Sequence, residues 1–293
     1  MRILVVGGTG FLGSEIALKL VNEGNSVKSL SRKISSTLKI DQTLGDISSP
    51  NSYLELISTW KPEVVVQAAW VTEQMNYRSS PLNKIYAEST VTLARHCFEF
   101  GTEHFITLGS CAEYGDPHGP CNASSTPVLA LDPYGESKLW TLDQLRLLGS
   151  TQKRRITWAR VFQPYGRNQD PARLIPFAAK KLASGEKISI KNPHTILDWI
   201  TSRDVARAIS YTLTNELPLV TDIGTSIGTT VVETLTKISE LLGADSHLIS
   251  TLEEIPAEKS PPDLVVSKDS PLLAAGWRPQ DDLTSGLTWA LSL

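Results

Sequence analysis

The chain opens on four consecutive apolar residues, Ile3 to Val6, and then changes period. From Leu12 to Glu23 the apolar side chains recur at Ile16, Ala17, Leu20 and Val21, the spacing of one helix face. A buried strand, a glycine turn and an amphipathic helix therefore follow one another. Gly24-Asn25 ends the helix, and Ser26 to Leu30 reads as a second strand, closing a β-α-β unit within the roughly 30 residues that such a unit takes. Further strands are predicted at Val64 to Gln67, His104 to Leu108 and Arg155 to Val161, and helices over Asn83 to Phe100 and Tyr134 to Leu148. This alternation predicts an α/β fold with a Rossmann-type doubly wound parallel sheet. After about Gly166 the texture changes, with Pro171, Pro176, Pro193 and Pro218 punctuating shorter elements. Ser260-Pro-Pro-Asp263 reads as a loop and Leu283 to Leu291 as a final short helix.

Composition changes this picture little. With 41% hydrophobic and 20% charged residues and a formal net charge of -3, the 293 residues can bury a full core and carry no sign of a nucleic-acid partner. The basic run Lys153-Arg154-Arg155 lies between a helical pattern and a strand and is read as a solvated turn. Cys97, Cys111 and Cys121 cannot all pair with one another and match no zinc spacing, so reduced thiols in a cytoplasm are expected. Met1-Arg2 leads straight into the first short strand, and no apolar run approaches the roughly 18 residues that span a bilayer; neither export nor membrane insertion is expected.

The turn after the first strand carries the first chemistry. Gly7-Gly-Thr-Gly-Phe-Leu-Gly13 holds the spacings GxGxxG and GxxGxxG between a buried strand and a helix. Backbone N–H groups and the positive helix end can there face a pyrophosphate, so Gly7, Thr9, Gly10, Phe11, Leu12 and Gly13 are assigned to a dinucleotide cofactor. NAD-binding domains usually place a carboxylate about 20 residues beyond the loop, against the adenosine ribose. This chain has Ser31-Arg32-Lys33 instead, a hydroxyl and two cations that suit a 2′-phosphate, which favours NADP with NAD as the alternative.

A second constellation gives the site its reaction. Tyr134 and Lys138 are four residues apart and so share one helix face, while Ser110 follows a strand that ends at the same sheet edge as the glycine loop. Reducing a carbonyl requires a hydride on carbon and a proton on oxygen. A phenol can give that proton if its pKa falls from about 10 towards 7, a shift of roughly 4 kcal/mol that Lys138 and a cationic nicotinamide are expected to supply together. Ser110 would orient the carbonyl.

With these residues in view the chain resembles the extended short-chain dehydrogenase/reductases, in the branch that modifies nucleotide sugars. The resemblance rests on Gly7 to Gly13, Gly45-Asp46, Ala68-Ala69, Ser110 four residues before Tyr114-Gly115, Tyr134 and Lys138, and then Arg160-Val-Phe-Gln-Pro-Tyr-Gly166, Leu174-Ile-Pro176, Asp198 to Ala206 and Gly276-Trp-Arg-Pro279. It implies a cofactor domain over residues 1–166 and a smaller substrate-binding lobe over 167–293, with chain exchange between them. It implies that Asp46 and Ile47 meet the adenine, that Ala68 and Ala69 line the cofactor groove, and that Lys138 holds the nicotinamide ribose while Tyr134 moves the proton. Asp46 would also serve as an ordinary turn residue before Ile47-Ser48-Ser49-Pro50. Cys111, Gln163, Arg173, Leu174 and Ile175 are expected on the substrate side, and a homodimer paired through the two long helices is the assembly implied.

Departures from the family pattern narrow the reaction. Sugar 4,6-dehydratases carry Asp-Glu where this chain has Cys111-Ala112, so dehydration is not expected. Cys111 stands one residue early for the reactive cysteine of epimerase-reductases and is read as an incidental thiol. Gln163 and Leu197 replace an asparagine and an arginine, and Glu88 an asparagine of the long helix. Two reactions need only Ser110, Tyr134 and Lys138: reduction of a 4-keto sugar and 4-epimerisation through a transient ketone. Ser31-Arg32 favours the first, the NADPH-dependent reduction of a nucleotide-linked 4-keto-6-deoxy sugar. The alternatives are an NAD-dependent 4-epimerase and a protein that senses the dinucleotide without turnover.

Overall fold

The computed structural model describes residues 1–71, 76–251 and 262–292. Its first half runs β1 (Arg2–Val6), α1 (Phe11–Asn22), β2 (Ser26–Ser31), β3 (Asp41–Leu44), α2 (Leu54–Trp60), β4 (Val64–Gln67), α3 (Leu82–Glu99), β5 (His104–Ser110), α4 (Pro133–Gln152) and β6 (Arg155–Val161). Its second half runs β7 (Gln163–Tyr165), α5 (Leu174–Ala183), β8 (Ile188–Ile190), β9 (Ile196–Thr201), α6 (Ser202–Thr214), β10 (Val220–Ile223), β11 (Gly228–Thr230), α7 (Val231–Leu242), β12 (Ile249–Thr251), α8 (Pro271–Ala274) and α9 (Leu283–Leu291).

A seven-stranded sheet in the order β10-β6-β5-β4-β1-β2-β3 forms the centre, with every neighbouring pair parallel. Such a sheet is covered on both faces, which is why β4, Val64-Val-Val-Gln67, is buried at every position. One face packs Ile16, Ala17 and Leu20 of α1 with Val205 and Ile209 of α6. The other packs Tyr86, Leu93 and Phe98 of α3 with Leu142 and Leu145 of α4. The Rossmann-type fold expected from the alternation is thus the one observed.

Two sheet members escaped the periodicity. β3, Asp41-Gln-Thr-Leu44, is a polar edge strand with no buried position. β10 returns to the other edge from the second half of the chain, pairing Val220 to Ile223 with Trp158 to Val161. Of the second-half elements, β7, α5, β8, α7 and α9 gather around a third core of Tyr165, Ile175, Leu182, Leu235, Ile238 and Leu287. Within it β11-β9-β7 form a small sheet and β12 pairs with β8. Of the loop read at Ser260 to Asp263, the first two residues lie outside the described residues.

The strand order reverses beside β1, whose neighbours are β2 and β4. A crevice opens there at the carboxyl ends of the strands, and Gly7, Ala68 and Ser110 all emerge at that edge.

Candidate active site

The glycine loop is fastened by backbone. Gly7 adopts φ of 79°, and a Cβ on it would stand 2.8 Å from the Ala69 nitrogen. A Cβ on Gly13 would collide with the Gly7 carbonyl oxygen. Gly7 N–H donates to Leu30 O at 2.8 Å, Gly10 N–H to Gly7 O at 2.9 Å, and Thr9 N–H to Ser31 Oγ at 3.2 Å. α1 then begins at Phe11 with Gly10 as its N-cap, no capping side chain and no acid in its first turn. Its positive end is left to an external anion, which fits a dinucleotide pyrophosphate.

Around the loop, Ser31 is buried and its hydroxyl is shared with Ser29 at 3.1 Å. Arg32 is exposed, with its guanidinium 5.9 Å from the Tyr86 ring. Asp46 Oδ1 accepts from the Ser48 N–H at 2.9 Å and the Ser48 hydroxyl at 2.8 Å, the turn expected as the plain alternative to adenine binding. Ile47 packs its side chain into the core with Leu30 and Tyr53, which leaves only its backbone towards the crevice. Ala68 and Ala69 are half-buried opposite Gly7.

Ser110, Tyr134 and Lys138 come together as their spacing predicted. Asp132 caps α4 by accepting from Gly135 N–H at 2.8 Å, and Pro133 occupies the first helical position, which fixes where Tyr134 and Lys138 point. The Ser110 hydroxyl lies close enough to the Tyr134 phenol to act on its titration, favouring the ionised form. Lys138 is buried; its ammonium donates to Leu108 O at 2.7 Å and lies 3.5 Å over the Trp70 ring and 5.7 Å from the Tyr134 ring. Burial pulls Lys138 down to about 7 against the Glu113 carboxylate, which acts to raise it. Burial likewise pushes the Tyr134 phenol up from its ordinary value, opposed by Ser110 and reinforced by Tyr77, Glu113 and Cys111. The protein's own groups therefore raise the phenol's pKa, desolvation being the largest cause; the lowering expected from Lys138 and a cationic nicotinamide together requires the bound cofactor.

On the substrate side Gln163 donates to Cys111 Sγ at 3.6 Å. Cys111 is buried and its thiol is pushed up to about 12 by burial, with Cys121 adding to the rise. Arg173 lies 4.8 Å over the Tyr77 ring at the start of α5, where Leu174 is half-buried and Ile175 turns into the core of the second half. Tyr77 meets Tyr134 edge to face at 5.1 Å, and the Arg78 carbonyl accepts the Tyr134 N–H at 3.0 Å. Arg78 also pairs with Asp132 at 2.5 Å. Trp70, Tyr77, Arg78 and Glu113 all adjoin the constellation without having been assigned to it from sequence.

The model of the NAD dependent epimerase/dehydratase family matches residues 3–224. The chain belongs to that family. Its members are the extended short-chain dehydrogenase/reductases, enzymes that act on nucleotide sugars. A UDP-glucose 4-epimerase of Rhizobium meliloti is 26% identical over 314 residues, covering 97% of this chain and 94% of that protein. A dTDP-6-deoxy-L-talose 4-dehydrogenase (NAD(P)(+)) of Kitasatospora kifunensis is 26% identical over 311 residues, covering 96% and 92%. Among solved structures, the Thermus thermophilus UDP-glucose 4-epimerase in complex with NAD superposes with a TM-score of 0.87 at 21% identity, covering 100% of this chain and 98% of that one. Family membership and the parallel sheet together make this chain an NAD(P)-dependent oxidoreductase of the extended type.

Proposed function

We propose that this family member reduces the 4-keto group of a nucleotide-linked 4-keto-6-deoxy sugar with NADPH, Tyr134 giving the proton. The observation that carries the reading is the grouping of Ser110, Tyr134 and buried Lys138 at one sheet edge, with the Lys138 ammonium 5.7 Å from the Tyr134 ring. A phenol at that place can give the proton that a reduction of the carbonyl needs. Bound NADPH supplies the hydride. Ser110 holds the carbonyl oxygen within reach of the phenol, Lys138 holds the nicotinamide ribose, and the uncapped start of α1 accepts the pyrophosphate. Exposed Arg32, just past β2, offers a cation where a carboxylate would bind the two ribose hydroxyls of NAD, which supports NADPH, while the buried Ser31 hydroxyl is engaged by Thr9 and Ser29. The Kitasatospora relative, whose name gives both cofactors and a 6-deoxy sugar, agrees with that choice.

A second reading is an NAD-dependent nucleotide-sugar 4-epimerase, favoured by the Rhizobium relative. It uses the same three residues and a cofactor that stays bound. Cys111-Ala112, in place of an acidic pair, argues against dehydration in either case. Leu82, Ile85, Trp140 and Leu147 leave an exposed apolar face on α3 and α4, and we assign that face to pairing of two copies in a cytoplasmic homodimer. The discriminating experiment is NADPH oxidation against a panel of nucleotide-linked 4-keto-6-deoxy sugars. Turnover of one member is expected; no NADPH oxidised with any member, together with interconversion of the 4-epimers of a nucleotide-linked 4-hydroxy sugar assayed beside the panel, would replace the reading by the second.

A further inference from the structure

Directly beneath Ser110 lies a carboxylate with no contact with water. Glu113 is 0% exposed, and it accepts the Ser110 N–H at 2.7 Å, the Trp158 indole N–H at 3.0 Å and the Arg160 Nε–H at 2.6 Å. Arg160, itself 3% exposed, also donates to the Tyr114 hydroxyl at 3.2 Å, and that hydroxyl donates to Asp222 at 2.8 Å. Gly109 makes room for the arrangement, since a Cβ there would stand 2.7 Å from Glu113 Oε1 and collide with the Trp158 indole nitrogen.

A buried ion pair of this kind adds little stability over apolar side chains of similar volume. Its geometry, however, acts on the catalytic serine. Glu113 closes a reciprocal capping box with Ser110: its carboxylate takes the Ser110 N–H while the Ser110 hydroxyl oxygen takes the Ala112 N–H at 3.2 Å. With its oxygen so engaged, the hydroxyl proton is directed away from the backbone, towards Tyr134 and the carbonyl that Ser110 would hold. Ser110 ends β5 opposite Val161 with an extended backbone, φ -147° and ψ 146°, and the carboxylate holds its N–H where the strand ends.

We infer that Glu113, clamped by Trp158 and Arg160, is a positioning residue for the reaction at the Ser110–Tyr134 pair. The inference rests on the reading of Ser110 and Tyr134 as catalytic but not on the choice between reductase and epimerase. It predicts a difference between two paired variants that both lose Arg160, so that the buried Tyr114–Asp222 pair is left alike in the two. Glu113→Leu with Arg160→Met removes the acceptor of the Ser110 N–H; Glu113→Gln with Arg160→Met keeps one. The first is expected to lose about 100-fold in kcat, the scale of a 1 Å misplacement, with KM nearly unmoved; the second is expected to recover to within about tenfold of the unaltered enzyme. Equal kcat per folded molecule in the two variants, or a loss confined to KM, would overturn the proposal.

Amide hydrogen exchange at Ser110 in the unaltered protein gives a readout independent of any substrate and of the variants' folding. Strong protection is expected from a bond to a buried carboxylate, and exchange at the rate of an open loop would also overturn the proposal. If the unaltered protein transforms no nucleotide sugar while the Ser110 amide is protected, the functional reading fails and the placement of Ser110 by Glu113 stands.

Discussion

The cofactor side and the catalytic side of this crevice are built from different materials. Around the loop from Gly7 to Gly13 the fit is made by backbone, with Gly7 set against Ala69 and Gly13 against Gly7, so that loop, strand and helix share one set of contacts. Around Tyr134 it is made by side chains drawn from β5, α4, α5 and the segment holding Tyr77 and Arg78. The difference teaches where damage should appear. A change in the loop should strike cofactor binding and stability together, whereas a change among the side chains should strike turnover alone.

The largest effect expected is on the catalytic side. Tyr134→Phe removes the proton donor and should lower kcat by about 10³-fold while NADPH still binds, as measured by nicotinamide fluorescence. Loss of cofactor binding in that variant would break the distinction. Next comes the loop itself: Gly13→Ala forces a methyl group against the Gly7 carbonyl, and we expect it to lower the thermal midpoint by the equivalent of about 2 kcal/mol and to weaken NADPH binding in the same protein. A smaller effect is expected at the edge of the cofactor side. Arg32→Ala should weaken NADPH about tenfold, the size of one charge-assisted hydrogen bond, and leave NADH affinity where it was. Equal losses for the two cofactors would reduce Arg32 to a surface charge. Least affected should be Cys111, whose thiol is buried and pushed up to about 12. Iodoacetamide at neutral pH should label it at least about 100-fold more slowly than an exposed cysteine, and rapid labelling accompanied by inactivation would return it to the reacting groups.

What could be read from the sequence divides along the same line. The glycine spacing was legible because one strand and one helix dictate it locally, and Ser110, Tyr134 and Lys138 were legible as candidates because few residue types can do the chemistry proposed for them. β3 was missed because an edge strand with polar residues has no apolar period, and β10 because its place depends on pairing with β6, far back in the chain. Nothing in the sequence around Glu113 marks it as a buried carboxylate. Its burial is decided by Trp158 and Arg160, which lie 45 and 47 residues further on. Tyr77 and Arg78 stand in a polar stretch without period, and only the packing of that stretch against α4 brings them to Tyr134.

The central claim, that hydride passes from exchangeable NADPH to sugar C4 with Tyr134 giving the proton, is tested most directly by deuterium transfer. The protein would be incubated with NADPH deuterated at the nicotinamide C4 and a nucleotide-linked 4-keto-6-deoxy sugar, and the product examined by mass spectrometry and NMR. One deuterium at sugar C4 for each NADPH oxidised, and almost none with Tyr134→Phe, is the result predicted. No deuterium passed to the 4-keto sugar, with the 4-epimers of a nucleotide-linked 4-hydroxy sugar interconverted in a parallel incubation without deuterium from the added cofactor, would contradict the account.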